Sequence, residues 1–322
     1  MKFNPSRAQL LRAMLACGGL YALGLHAKSI ETMRLLIPAS PGGGWDLTGR
    51  ALGQALVAAG QADRVDYETR SGAAGTIGLS QFVSRKPDSN ALMVMGSVML
   101  GGIISGRPPV GLSGIKPVAR LTTEHNVYVV PAKSPFQSMQ DVLRRFRSDP
   151  DALRWGGGSR GATEHIATAM LAKALGVGIE AVNYVPFRGG GEAHAAVING
   201  VVDIAGSGLS EFSSSIRSGQ LRALAVTSEH RLPGLNVPTL KELGYSIVLN
   251  NWRGVCAHAG LNASQVQRLI DRVGLATQST EWKRQVQIHG WTEAFLQGPA
   301  FEEDIQRDFG KLEAVMRDMG LA

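Results

Sequence analysis

The twelve residues PASPGGGWDLTG, at 38–49, hold the arrangement in this chain best suited to gripping something small. Gly42, Gly43 and Gly44 stand together after Ser40, and Trp45 and Asp46 follow at what reads as the start of a helix. Consecutive glycines let backbone N–H groups crowd around one group, and a helix N-terminus favours an anion there. Glycine-rich junctions recur at 72–78, 156–161, 189–191 and 206–208. A single loop of this kind is ordinary turn chemistry. Five in one chain point to a ligand contacted from several sides, where a nucleotide-binding enzyme would need one.

Specific motifs narrow the chemistry. GGGSRG at 156–161 fits the spacing G-x-G-x-x-G between a strand and a helix, but Glu180 precedes the next strand where a dinucleotide site needs an acid at that strand's end. None of the glycine loops carries G-K-[ST], which excludes a P-loop. The same stretch reads G-x-S-x-G around Ser159, and Asp203 with His258 or His289 would complete a hydrolase order, so a secreted serine hydrolase stays open as an alternative. Arg160 beside that serine has no role in such an enzyme. The seven histidines show no metal-ligand spacing, and no metal or cofactor is expected.

The elements that must place these loops follow from periodicity. RLLIPA (34–39) reads as a buried strand, 46–60 as a helix with Asp46 as its N-cap, RVDYET (64–69) as a second strand and 91–97 as a third. A second series starts with two strand-like runs in 118–132. It continues with a helix at 138–149, a strand into the glycine loop at 152–158, a helix at 163–176, strands at 181–187 and 201–208, and a return strand at 221–228. Two helices, 264–280 and 301–319, close the chain. Alternating strands and helices imply an α/β fold with sites at the strands' carboxyl ends. Two such series suggest two lobes: 28–120 plus 228–322 as the first, with 121–227 inserted as the second.

Composition agrees with a folded chain: 322 residues, 44% hydrophobic and 18% charged. The first 27 residues differ, with Lys2, Arg7 and Arg12, then an apolar run from Ala13 to Leu25 that is too short to span a bilayer. They read as a signal peptide cleaved after Ala27, so the mature protein is expected to be exported. Cys17 would leave with that leader and Cys256 would remain alone as a buried residue, so no internal disulfide is expected. The net charge of +7 falls to +4 with the leader removed, compatible with an anionic ligand. No basic block with interleaved aromatics points to nucleic acid.

Taken in order, the segments IPASPGGGWDLTGRALGQAL, YETRSGAAGTIGL, WGGGSRGATEHIA, VPFRGGGEAHAAVINGVVDIA and LRALAVTSEHRLPGLNVPTLKELGY resemble the extracytoplasmic receptors of tripartite tricarboxylate transporters, including the Bordetella uptake-protein group. The resemblance implies a two-lobe periplasmic-binding-protein fold, a Venus flytrap whose lobes are each a largely parallel sheet flanked by helices. It implies a monomeric receptor, not an enzyme, that passes a small carboxylate to large and small permease subunits; a ligand sensor for a membrane signalling protein would share the cleft. Carried onto this chain, the site comprises Ser40, Gly42, Gly43, Gly44, Trp45 and Asp46 in the first loop, and Ala73 and Thr76 in the second. The lobe-two loop gives Gly158, Ser159, Arg160, Thr163 and His165, with Arg188 and Ser207 beyond it. Ser207 stands where many relatives have an acid that meets an amino group. Together with Arg160, it leans the expectation toward a di- or tricarboxylate such as citrate.

Overall fold

A computed structural model describes residues 31–322; the leader, with Cys17 and the cleavage position, lies outside the described residues. The chain runs through β1 (Thr32–Ile37), α1 (Gly44–Ala58), β2 (Arg64–Thr69), α2 (Thr76–Val83), β3 (Ala91–Gly96) and α3 (Ser97–Gly106). β1 pairs in parallel with β2 on one side and β3 on the other, the order two βαβ units give.

β4 (Ile115–Pro131) is one strand where the sequence suggests two runs. Its first part pairs antiparallel with β9 (Asn250–His258) and β10 (Thr292–Gln297), and its last six residues pair antiparallel with β7 (Ile204–Gly208) and β8 (Leu221–Val226). β5 (Trp155–Gly157) lies in parallel between β6 (Tyr184–Pro186) and β7. β4 therefore belongs to two sheets. Parallel pairing is confined to the outer strands of each sheet, and the strands joining them are antiparallel.

The helices sit where their apolar faces find cover. α4 (Met139–Ser148) starts from a Ser138–Asp141 capping box and buries Met139, Val142, Leu143 and Phe146, the i, i+3, i+4, i+7 stripe of an amphipathic helix. Each such side chain contributes roughly 1.5–3 kcal/mol on burial. α5 (Thr163–Ala174), α6 (Gly190–Ile198) and α7 (Leu209–Arg217) each follow a glycine-bearing junction.

After β9 come α8 (Ala263–Gln278), α9 (Thr280–His289), β10 and α10 (Gly298–Asp318). α9 and β10 are additions to the two terminal helices read from sequence. α9 is separated from α8 by Ser279, whose hydroxyl accepts the Trp282 N–H and starts a new helix.

The core divides with the sheets. One cluster packs Leu35, Ile37, Val94, Val255 and Phe301 around the first sheet. The alternation of β4 then sorts its residues, Tyr128 and Val130 joining Phe146 and Trp155 on one face, Val127 and Val129 joining Phe212 on the other. A fourth cluster joins Ile104 of α3, Ile166 and Ala169 of α5, and Met316 and Met319 at the chain's end. Cys256 is buried, as expected, and its burial raises the thiol pKa.

Candidate functional site

The glycine junctions converge on a pocket of about 60 Å³ lined by Gly43, Gly44 and Trp45, by Gly75, by Gly158 and Ser159, and by Ser207. Glu164, Glu211 and Arg253 complete its charged lining. A larger cavity of about 540 Å³ lies beside β1 and β2, but Arg34, Glu68, Arg85 and Asp88 in its wall are already engaged in ion pairs, Arg34 with Asp88 and Arg85 with Glu68. None of the glycine loops reaches that larger cavity, so the small pocket is the candidate site.

Backbone donors at the pocket are held by the protein's own carboxylates. Gly44, the first residue of α1, donates its N–H to Glu211 Oε1 at 2.5 Å, and Gly158 donates to Glu164 Oε1 at 2.5 Å. Ser210 in the first turn of α7 donates to Glu124 Oε2 at 3.1 Å. The Arg188 N–H and the Ser40 hydroxyl both donate to Glu192. Two helix N-termini, those of α1 and α7, are thus built as anion seats and filled from within, in keeping with the partial positive charge at a helix start, and Glu164 of α5 reaches back to a donor in the loop before its own helix.

Asp46 departs from its expected place. The three glycines let α1 begin at Gly44, so Gly43 is the N-cap and Asp46 lies in the first turn. From there it accepts the Gly42 N–H at 3.0 Å and pairs with Arg50 Nε at 2.9 Å, which fixes the loop from inside the helix. Trp45 both lines the pocket and packs so tightly on Gly75 and Gly96 that a methyl at either glycine would strike its ring.

Gly43, Gly44, Trp45, Gly158, Ser159, Arg188 and Ser207 are brought together at the pocket. Ser40, Gly42, Asp46, Ala73, Thr76, Arg160, Thr163 and His165 are not among its lining. Thr163 instead accepts from Asn126 at 2.8 Å, and His165 accepts the Gly161 N–H at 3.0 Å while packing on Tyr184. Burial first, then the nearby Arg160 charge, lowers the His165 pKa to about 4, so its ring is neutral at ordinary pH. Arg160 is exposed, and Arg188 is exposed and paired with Glu192.

The hydrolase constellation does not assemble. Ser159 donates weakly to the Phe187 carbonyl, Asp203 is clasped by Arg154, His258 contacts the Val83 carbonyl, and His289 stacks on Trp291.

With this geometry in place, comparison with known proteins is decisive. A model of the "Tripartite tricarboxylate transporter family receptor" matches residues 53–320. The chain belongs to this receptor family. It is 28% identical over 254 residues to the protein BugT of Bordetella pertussis, covering 77% of this chain and 76% of BugT. Its fold matches the periplasmic binding protein BugD with a TM-score of 0.80 at 21% identity, over 90% of this chain and 98% of that one. Two Rhodopseudomonas palustris structures match as well: MatC with bound malate at TM-score 0.79 and 21% identity, covering 89% and 99%, and a protein with adipate at 0.81 and 21%, covering 90% and 97%. The family and these neighbours bind solutes; they are receptors, not enzymes.

The receptor's strongest charges escaped the sequence reading. Arg253 and Glu124 form a buried ion pair between β9 and β4, with side chains 2% and 4% exposed. Burial lowers the Arg253 pKa to about 9, which still leaves it charged at neutral pH, and its Nη1 has no partner. Glu211 is half-buried, and that burial, opposed by the Ser207 hydroxyl and reinforced by the Glu164 charge, raises its pKa to about 7. Burial likewise raises that of Glu164. A charged residue within the apolar run of β9 is a legible signal for Arg253. Glu211, in the first turn of α7, lies four residues beyond Ser207 of β7 and accepts its hydroxyl proton. An acid is therefore present where Ser207 suggested its loss, and the argument from Ser207 against an amino group falls.

Beside Trp45 the backbone is strained. Gly72, Ala73, Ala74 and Gly75 have φ of 129°, 46°, 53° and 88°, four consecutive left-handed residues of which two carry a Cβ. An L-residue there costs roughly 1–2 kcal/mol, against roughly 0.5–1 kcal/mol for glycine's extra freedom when unfolded. Exposed Ala73 makes a clean test. Ala73→Gly is expected to raise stability by up to about 1 kcal/mol in urea unfolding, and a loss would show that the turn carries no strain.

Proposed function

We propose that this receptor is a periplasmic, monomeric protein that closes on a small di- or tricarboxylate, citrate-like at the upper limit of size, and delivers it to the large and small permease subunits of its transporter. The supporting observation is the pair of Gly44 and Gly158 N–H groups, each holding a carboxylate at 2.5 Å on one pocket. Donors that fit an internal carboxylate fit a ligand's carboxylate by the same geometry. The malate and adipate of the structural neighbours are of this chemical class.

The two lobes, 28–120 with 228–322 and the inserted 121–227, are taken to move about the strand β4, which belongs to both sheets. A cavity of about 60 Å³ is well below the roughly 300–1,000 Å³ of small-molecule sites, so a ligand enters with the lobes apart and is enclosed as they approach. Micromolar binding requires about 8 kcal/mol net, which several charge-assisted hydrogen bonds in a dehydrated cleft supply.

A thermal-shift screen against citrate, malate, succinate and adipate tests the proposal. A ligand at 100 times its Kd stabilises by about 2.7 kcal/mol, a rise of roughly 5 °C in a protein of this size. An unmoved melting temperature with all four acids would remove the carboxylate reading.

A further inference from the structure

We propose that Glu211 is a built-in competitor for the receptor's anion seat: its carboxylate occupies the Gly44 N–H, and a ligand carboxylate enters by displacing it. The inference rests on the carboxylate-receptor reading and adds a residue that decides which solutes succeed. Gly44 starts α1, in the segment assigned to the first lobe, whereas Glu211 stands in the first turn of α7, in the inserted segment. Their hydrogen bond therefore joins the two halves of the cleft. The other Glu211 oxygen accepts from Ser207, so the side chain is held from its own half and aimed at the opposite one.

The seat has a second feature that points to an anion. Arg253 lies directly over Gly44, so close that a methyl on that glycine would collide with its guanidinium. Buried as it is, it lines the pocket and keeps one nitrogen, Nη1, without a partner. Glu124 pairs with Nη2, the guanidinium nitrogen nearest Gly44, which leaves Nη1 as the open one. A carboxylate placed on Gly44 thus meets a helix N-terminus in a pocket that a buried guanidinium also lines. Two carboxylates cannot share that place, because like charges at hydrogen-bonding distance repel strongly in a dehydrated cleft.

A ligand must therefore offer more than Glu211 gives up. A single carboxylate replaces Glu211 one for one, with little gain. A second carboxylate at the other end of the ligand adds contacts that Glu211 cannot make, so the displacement selects for solutes with two anchors. While Glu211 occupies the seat, the receptor is not competent to bind, and its apparent affinity is reduced in proportion to the fraction so occupied.

Two variants test this, with isothermal titration of citrate, malate, succinate and adipate and small-angle scattering without added solute. Glu211→Ala empties the seat and is expected to lower the Kd of the bound acid by about tenfold or more, the usual strength of a charge-assisted hydrogen bond. Glu211→Gln keeps an acceptor without its charge and is expected to give a smaller gain. Without solute, Glu211→Ala is expected to have a larger radius of gyration than the wild type, because a bond between the halves is gone. An unchanged or weaker affinity in Glu211→Ala, with the wild type still binding, overturns the competitor role and leaves the receptor reading intact; weaker binding would make Glu211 a ligand contact. If no acid binds wild type or variant, the carboxylate reading fails. Scattering then decides alone, expansion supporting the hold of Glu211 on Gly44 and an unchanged radius overturning it.

Discussion

Arg253→Met is expected to cost about 3–5 kcal/mol of stability, read by urea unfolding, although methionine is nearly as long and suits a buried strand. The reason is the partner left behind. Glu124 is 4% exposed and faces Arg253 from the adjacent strand, so the substitution strands a carboxylate with only the Ser210 N–H for company. An uncompensated buried charge costs far more than the pair contributes, because the desolvation already spent on Glu124 is no longer offset. The guanidinium also lies over the Trp291 ring at 5.8 Å, a contact methionine keeps only in part.

Adding Glu124→Gln to Arg253→Met should recover most of the loss, since glutamine's oxygen can still accept from Ser210 while the charge is gone. A single variant within about 1 kcal/mol of the wild type would show that the pair carries little weight. Arg253→Lys is a different experiment: charge is retained, but the planar guanidinium that packs over Gly44 and pairs with Glu124 is lost.

A methyl group at Gly101 is expected to act on closure instead of folding. Gly101 faces Gly161 across the gap between α3 and the loop before α5, and a Cβ on Gly101 would run into the Gly161 carbonyl oxygen. The reverse holds too, a Cβ on Gly161 lying 2.8 Å from the Gly101 carbonyl oxygen. Overpacking of this kind costs about 1–3 kcal/mol, and if the halves part, the cost falls on the closed form alone.

Gly101→Ala should then weaken ligand binding about 10- to 100-fold while the unfolding midpoint of the ligand-free protein stays near that of the wild type. The opposite pattern, a lowered midpoint with affinity unchanged, would mean that the Gly101–Gly161 contact is core packing within one rigid body. That result would count against the moving lobes.

Much of this molecule is legible in its residues one after another. Strands at 64–69 and 91–96, the capped helix after Ser138 and the glycine loops before α5 and α6 follow from periodicity and turn chemistry, because those signals are local. Elements beyond local reach read less well. β4 passes from one sheet to the other without a break, where the polar residues 122–126 make the sequence read as two separate runs. α9 and β10 were hidden by a charged, weakly amphipathic stretch that is ordered by the elements it meets.

The glycines show the same division. Their sequence placed backbone donors at helix starts, and the family resemblance implied a carboxylate as what such donors bind. It could not show that Gly101 and Gly161 serve close approach between segments, or that Glu211 and Glu124 fill the seats two of those helix starts create while Glu164 holds the loop donor of Gly158. Glu211 and Gly44 lie far apart along the chain, as do Arg253 and Glu124. The sequence by itself determined the class of fold and the glycine-rich helix starts, because each arises from the preferences of neighbouring residues, and its resemblance to a receptor family supplied the role. Only the tertiary structure decided which charges share the pocket, because burial sets their strength and burial is a property of what packs around a residue, not of the residue.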